Sequence, residues 1–212
     1  MTRFEAIAAL VPPGFAPVVD VGADHGRVAA RLGAIATERR PHRRSNLDVR
    51  WVVADGLAPF RHVGTAVIAG MGWATIARIL SGPTPVRAAV LHADDDPPAL
   101  RLWLAANGWR IDAEVLAPVS RRAGAGIAEI VRAFPGHEPA IGLELHYGPR
   151  LLESADPRLG AHLATARRRW ERVIVACGPT ALAVAADAER HVAFLRERER
   201  LWNATASGKL EA

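Results

Sequence analysis

Cysteine is almost missing from this 212-residue chain: Cys177 stands alone. One thiol cannot build a disulfide framework or a cysteine zinc site within a single chain, and a reducing compartment fits. Lysine is as scarce, with Lys209 the only one, so the formal charge of +5 and the pI near 10.7 rest on arginine. The arginine-to-lysine ratio has a plain reading in a GC-rich coding sequence. The net charge itself counts toward a phosphate-bearing partner such as nucleic acid. Long uncharged apolar runs are absent too. The opening MTRFEAIAALVPPG carries Glu5 inside its short apolar run, so a soluble, cytoplasmic protein with no membrane partner is expected. No sequence repeat or low-complexity tract interrupts the chain.

What is present is enough apolar character, 50% of residues, to bury a real core in one ordinary domain with an appendage. Apolar positions at Phe4, Ile7, Ala8 and Leu10 predict a first helix that Pro12-Pro13-Gly14 stops. Strand and helix signals then alternate. Strands are expected at PVVDVG (17–22), AIAT (34–37), VRWVVA (49–54), TAVIAG (65–70) and AAVLHA (88–93), with helices at 25–32, 74–80 and from Pro97 to Asn107-Gly108. The second strand is the least secure, because Pro41 breaks its crossover; the alternative carries the preceding helix on to Arg40. WRIDAEVLA (109–117) and GIAEIVRAF (126–134) read as two strands joined around Arg121 and Arg122. This rhythm predicts an α/β fold, a mostly parallel, doubly wound sheet with an antiparallel last pair.

Beyond residue 149 only helical periodicity remains. Pro157 to Cys177 and Thr180 to Asn203, split at Gly178-Pro179, read as a helical hairpin. Its expected seam sets Leu159, Leu163, Ala166, Trp170, Val173 and Cys177 against Leu182, Val192, Leu195 and Trp202. Two domains are therefore expected, 1–149 and a C-terminal hairpin over 150–206.

Ligands of open sheets bind at the carboxyl ends of the strands, where the winding reverses. Four expected strand ends carry suitable residues. The first gives Asp20, Gly22, Ala23, Asp24, His25 and Gly26; the second gives Glu38; the third gives Asp55-Gly56; the fourth gives Gly70-Met71-Gly72. Gly22 lets a ligand lie against backbone, and the helix start after it offers N–H groups. Asp24 repels a pyrophosphate but suits an amino or sulfonium cation. An acid after the second strand is the usual partner of paired ribose hydroxyls. Asp55 can accept from an adenine amine, and Gly70 lets carbonyls approach a charged methyl donor. Together these describe S-adenosylmethionine better than NAD. Each residue alone has a plainer reading: Asp20 as a turn cap, His25 as a helix-start residue, Met71 as core filler. Agreement among four strand ends carries the assignment.

At these residues the chain resembles the TrmK family of bacterial tRNA (adenine-N1)-methyltransferases. The resemblance runs from Arg3 to about Trp170, through VPPG, DVGADHG, VVADGLAPF, AVIAGMG with ATIARIL, LRLWLAANGWRI, AEI and YGP. It implies a Rossmann-like class I methyltransferase sheet followed by a coiled-coil-like helical hairpin, with S-adenosylmethionine as cofactor, tRNA as partner and no metal. The chain departs from the family at several points. Arg27 stands where an aromatic usually follows the histidine, and Trp73 replaces a glycine. The fifth strand ends His92-Ala-Asp94-Asp95-Asp96 instead of in a Gln-Pro-Asn-like turn, and the stretch after the second strand is shorter by more than a dozen residues.

For an adenine N1 acceptor, the ring lone pair attacks a sulfonium methyl in line, so catalysis is mainly positioning and water exclusion. Asp24 and His25 are the catalytic candidates. Their expected role is an acceptor near the adenine amine, with His92 behind them on the substrate side; the other substrate-side candidates are Trp73, which can stack on an extruded base, and Arg78 and Arg101, which can reach phosphate. A structural role is the plainer reading for Trp73 and His92. The basic sets Arg39, Arg40, Arg43, Arg44 and Arg167, Arg168, Arg169 can grip an RNA backbone, although Glu171 and Arg172 continue the second set as a mixed-charge face. A monomer is favoured over an oligomer. The alternatives are a methyltransferase with a non-RNA acceptor, a non-catalytic binding module, and, more distantly, a nicotinamide oxidoreductase.

Overall fold

The computed structural model of the chain describes residues 1–40, 47–121, 124–178 and 181–208. These divide into two compact units, Met1–Arg150 and Leu151–Ala212. Arg43, Arg44, Arg122, the breaker Pro41 and the hairpin break at Pro179 lie outside the described residues.

In the first unit β1 (Val18–Val21), β2 (Ile35–Glu38), β3 (Arg50–Val53), β4 (Val63–Met71), β5 (Val86–Ala93), β6 (Trp109–Arg121) and β7 (Gly124–Pro135) form one sheet in the order β3-β2-β1-β4-β5-β7-β6. The first five strands pair in parallel, while β7 runs antiparallel to both β5 and β6. The order reverses between β1 and β4, which places the crevice for a ligand above those two tips. The expected second strand exists, over Ile35–Glu38, and pairs with both neighbours; no helix runs on to Arg40. Ala36 packs with Ala29 and Ala34, Thr37 is buried, and Glu38 ends the strand half-buried.

The sheet's alternation sorts its side chains into two layers. On β4, Ala66 and Ile68 face one cluster with Ile76, Ile79 and Leu80 of α3 (Trp73–Leu80) and Leu100 and Leu104 of α4 (Pro97–Ala106). Val67 between them faces the other cluster, with Ala6, Ile7 and Leu10 of α1 (Arg3–Leu10) and Val28 of α2 (Arg27–Leu32). A period of two on a strand is what produces this split. Thr2 and Glu5 close a reciprocal capping box at the start of α1. Two short helices, α5 (Gly142–Tyr147) and α6 (Pro149–Leu152), were not expected from the pattern.

In the second unit α7 (Leu159–Ala176) and α8 (Leu182–Gly208) lie antiparallel, since Gly160 meets Trp202 and Trp170 meets His191. Leu159, Leu163, Ala188, Val192 and Leu195 are buried along the seam. The expected Leu182 is not among them. It is 74% exposed, because the α8 stripe follows Ala188, His191, Val192 and Leu195 at the spacing of a helix face. The His191 ring stacks on Trp170 with centroids 4.0 Å apart, and burial pushes its pKa down. Arg167 binds Glu171 at 2.7 Å and Glu199 at 2.9 Å across the hairpin.

Candidate active site at the strand tips

A cavity of about 230 Å³ opens at the carboxyl ends of β1 to β4, lined by Val21, Gly22, Glu38, Arg39, Ala54, Asp55, Gly56, Met71, Thr75, Arg78 and Ile79. Five of the cofactor candidates meet there: Gly22, Glu38, Asp55, Gly56 and Met71. Gly22 has φ +65, and a Cβ at this position would sit 2.2 Å from Met71 Cε. The left-handed φ favours glycine here, and an added Cβ would also displace the tip of Met71. The N–H groups of Gly22 and Ala23 both donate to Thr37 O, at 2.9 and 3.1 Å, and Gly26 N–H donates to Ala23 O, so Gly22 contributes room and not a donor.

Asp20 lies beneath the cavity, not in its wall. It is 5% exposed, and its Oδ2 accepts from Ala29 N–H in the first turn of α2 at 3.0 Å. Burial raises its pKa to about 7, against the lowering effect of that hydrogen bond. Here the carboxyl supplies the cap that Gly26, as the N-cap residue of α2, lacks a side chain to provide. Gly26 also packs on Trp51, where a Cβ would come within 2.8 Å of the ring.

Glu38 ends β2 and its Oε1 accepts from Arg40 N–H at 3.1 Å. Asp55 faces two guanidiniums, Arg78 Nη2 at 3.2 Å and Arg39 Nη1 at 3.9 Å, with about half of each side chain exposed. Ion pairs this exposed are worth about 0–1 kcal/mol, so a ligand donor can displace them. Two carboxylates, a bare glycine turn and an apolar floor of Val21, Met71 and Ile79 make a donor set that fits an adenosine with a cationic tail. Asp24 and His25 stand on the adjoining turn, with His25 Nε2 3.4 Å from Asp24 Oδ2 and both side chains more than half exposed. Among the described residues Asp24 is the one non-glycine with positive φ, at 48°. Aspartate adopts this left-handed region in turns more readily than most side chains.

Two expected RNA contacts are corrected by burial. Arg101 is 0% exposed and cannot reach a phosphate: its Nε donates to Glu114 at 2.6 Å, Nη2 to Glu129 at 2.7 Å and Nη1 to His146 O at 3.2 Å. Burial alone would favour its neutral form, but the two carboxylates outweigh that and hold the guanidinium firmly protonated. Glu114 and Glu129 are diagonal neighbours on β6 and β7, since Glu114 pairs with Val131 and Leu116 with Glu129. Gly148 leaves room for this triad, because a Cβ there would lie 2.7 Å from Arg101 Nη2. The AEI and YGP stretches thus serve one buried ionic network. His92, 1% exposed, is likewise withdrawn from any RNA surface. Trp73 packs partly into the core at the start of α3, and Gly70, with φ +80, sits at the β4 tip beside Asp94. Asp94, Asp95 and Asp96 carry no sequence signal of their separate partners, being three identical neighbours.

The family model for TrmK, tRNA (adenine(22)-N(1))-methyltransferase, matches residues 33–197 of the chain. The chain belongs to that family. Among solved structures, Streptococcus pneumoniae Sp1610, described as a candidate tRNA (m1A22) methyltransferase, superposes with a TM-score of 0.78 at 25% identity, covering 94% of this chain and 99% of that one. The same protein has been crystallised with S-adenosyl-L-methionine. A Streptococcus agalactiae protein of the NADB-Rossmann superfamily gives 0.78 at 25% identity over 94% and 96% of the two chains. TrmK from M. capricolum, in complex with S-adenosyl-homocysteine, shares the fold at 14% identity, with a TM-score of 0.75 over 94% and 97%. No curated protein matches the sequence. Among the described residues of this TrmK-family chain, no helix is long and apolar enough to cross a membrane, and no group of three His, Cys, Asp or Glu is placed to hold a metal ion.

Proposed function

We propose that the chain methylates N1 of an adenine in tRNA, as a cytoplasmic enzyme that uses S-adenosylmethionine. The single observation that carries this, beside family membership, is the cavity at the β1/β4 reversal with Gly22, Glu38, Asp55 and Gly56 in its wall. When bound, the cofactor supplies an electrophilic methyl on a sulfonium centre. The chain's own residues bind and orient. Glu38 is suited to the ribose hydroxyls, Asp55 to an adenine amine, and Gly22 to close backbone approach. Asp24 and His25, exposed on the next turn, are the proposed groups at the acceptor side. Positioning and exclusion of water supply most of the acceleration, because the adenine nitrogen is already nucleophilic. Residues 1–149 form the proposed catalytic domain. The proposed role of the hairpin over 150–206 is RNA contact, supported by the exposed Arg168 and Arg169 on α7.

Calorimetry with S-adenosylmethionine, followed by transfer of a tritiated methyl group to unmodified tRNA, tests the proposal. Saturable donor binding and label in tRNA, with none in protein extract or small acceptors, are expected. Donor binding with label appearing only in a non-RNA acceptor would overturn the substrate assignment, and no donor binding would overturn the enzyme.

A further inference from the structure

Three consecutive aspartates follow β5, and the structure gives each a different task. Asp95 Oδ1 accepts from the backbone N–H of Trp73 at 2.9 Å and of Asp96 at 2.7 Å. Those two bonds hold its carboxyl below the usual range and tie down the start of α3. Asp96 Oδ1 accepts from Ala99 N–H at 3.0 Å and caps α4. Asp94 caps neither helix. Its backbone N–H donates to Met71 O at 3.0 Å, so it is joined directly to a residue that lines the cofactor cavity.

The Asp94 carboxylate is held from below by a buried ring. Its Oδ1 lies 3.0 Å from His92 Nε2, and the His92 side chain is 2% exposed while that of Asp94 is 49% exposed. On its other side the ring places Nδ1 3.2 Å from Glu129 O. The Nε2–Oδ1 approach is at ion-pair distance, and the direction of the Nδ1 contact with the carbonyl follows the ring's tautomer. Oδ1 faces the ring, and Oδ2 lies at the β4 tip, 3.8 Å from where a Cβ of Gly70 would stand. A half-exposed carboxylate beside a bare glycine therefore stands one strand beyond the cofactor cavity.

We infer that Asp94 is the group that accepts a hydrogen bond from the exocyclic amine of the target adenine, with His92 as its positioning residue. The inference rests on the methyltransferase reading above. It concerns the turn at which this chain departs from the Gln-Pro-Asn-like sequence of its family. Methylation forms the N1–C bond with the ring's lone pair as the donor's S–C bond breaks, leaving that pair on sulfur, and the positive charge moves into the ring. The amine then becomes a stronger donor, so an anionic acceptor gains strength in the transition state and not before it.

The test compares wild type with Asp94→Asn, His92→Gln, His92→Phe and the double variant His92→Phe/Asp94→Asn. Asp94→Asn is expected to lower kcat roughly tenfold to a hundredfold, less than for a water-excluded group because half of Asp94 meets solvent. KM for tRNA and the affinity for S-adenosylmethionine should stay within about twofold, since the contact tightens only as charge develops. His92→Gln, which keeps a donor toward Asp94, should recover most of the activity that His92→Phe loses. His92→Phe should add nothing in the Asp94→Asn background, the non-additivity of residues acting through one another. A kcat for Asp94→Asn within about twofold of wild type would overturn the inference, as would a His92→Phe effect that persists in the double variant. A second readout does not need turnover. Wild type loaded with S-adenosyl-homocysteine should bind cationic 1-methyladenosine more tightly than adenosine, and Asp94→Asn should lose that preference. Failure of wild type to label any tRNA would refute the function; an unchanged nucleoside preference in Asp94→Asn would refute the role of Asp94 alone.

Discussion

Replacing Arg101 by methionine keeps most of the side-chain volume and removes the charge between two buried carboxylates. Glu114 has a fully buried side chain and Glu129 is 15% exposed, so neither gains enough water to compensate. Removing one partner of a buried pair costs about 3–5 kcal/mol, because the remaining charges stay desolvated and unpaired. Set against a total stability of about 5–15 kcal/mol, that loss moves the urea midpoint down by about 1–2 M. Tryptophan fluorescence during urea titration reads it. A companion variant, Arg101→Met with Glu114→Gln and Glu129→Gln, removes the stranded charges and should recover part of the loss. A phosphate contact would behave differently: stability would hold and the salt slope of tRNA binding would fall by about 1. An unchanged urea midpoint for Arg101→Met, with weakened tRNA binding, would refute the burial argument and restore the surface reading.

Other expectations follow from single contacts. Gly22→Ala forces a side chain into φ +65 at about 1–2 kcal/mol and drives its Cβ against Met71 Cε; calorimetry should show S-adenosylmethionine binding at least about tenfold weaker, with partial rescue by Met71→Ala. Asp20, with a folded pKa of about 7 against an ordinary 3.8, keeps its proton in the folded state between those values while the unfolded chain releases it. Its contribution to stability is therefore best below about pH 4, is lost as pH rises to about 7, and amounts to a penalty on the order of 4 kcal/mol above that. Asp20→Asn, whose amide oxygen can still accept from Ala29, should be the more stable protein at pH 8 and should flatten the difference between pH 5 and pH 8 in urea titrations. On the hairpin, Arg169→Ala should reduce the salt slope of tRNA binding by about 1, whereas Arg167→Ala, through its pairs with Glu171 and Glu199, should loosen the helices with less effect on that slope.

Elements with a strong local signature were legible in the amino-acid pattern. β1, β4 and β5 are β-branched or apolar runs stopped by glycine or aspartate, and Pro97-Pro98 announces α4. β2 was uncertain because four residues carry too little periodicity to outweigh a nearby proline; its pairing with β1 and β3 decides it. The helices α5 and α6, six and four residues long, are too short for a period of 3.6 to show. At the site, Gly22, Glu38, Asp55 and Met71 were readable because strand tips converge by topology alone. Arg101 was not, since its burial depends on Glu114, Glu129 and a carbonyl from three other segments. Leu182 was the misplaced member of the expected stripe: Val192 and Leu195 are buried, while Leu182 at the start of α8 is exposed.

Mass spectrometry of nucleosides from unmodified tRNA, incubated with the protein and S-adenosylmethionine and then digested, tests the central claim most directly. 1-Methyladenosine is expected, formed in proportion to enzyme and reduced by Gly22→Ala, whose Cβ intrudes on the cavity wall. A methyl group on any other nucleoside, or none while the donor binds, would contradict it.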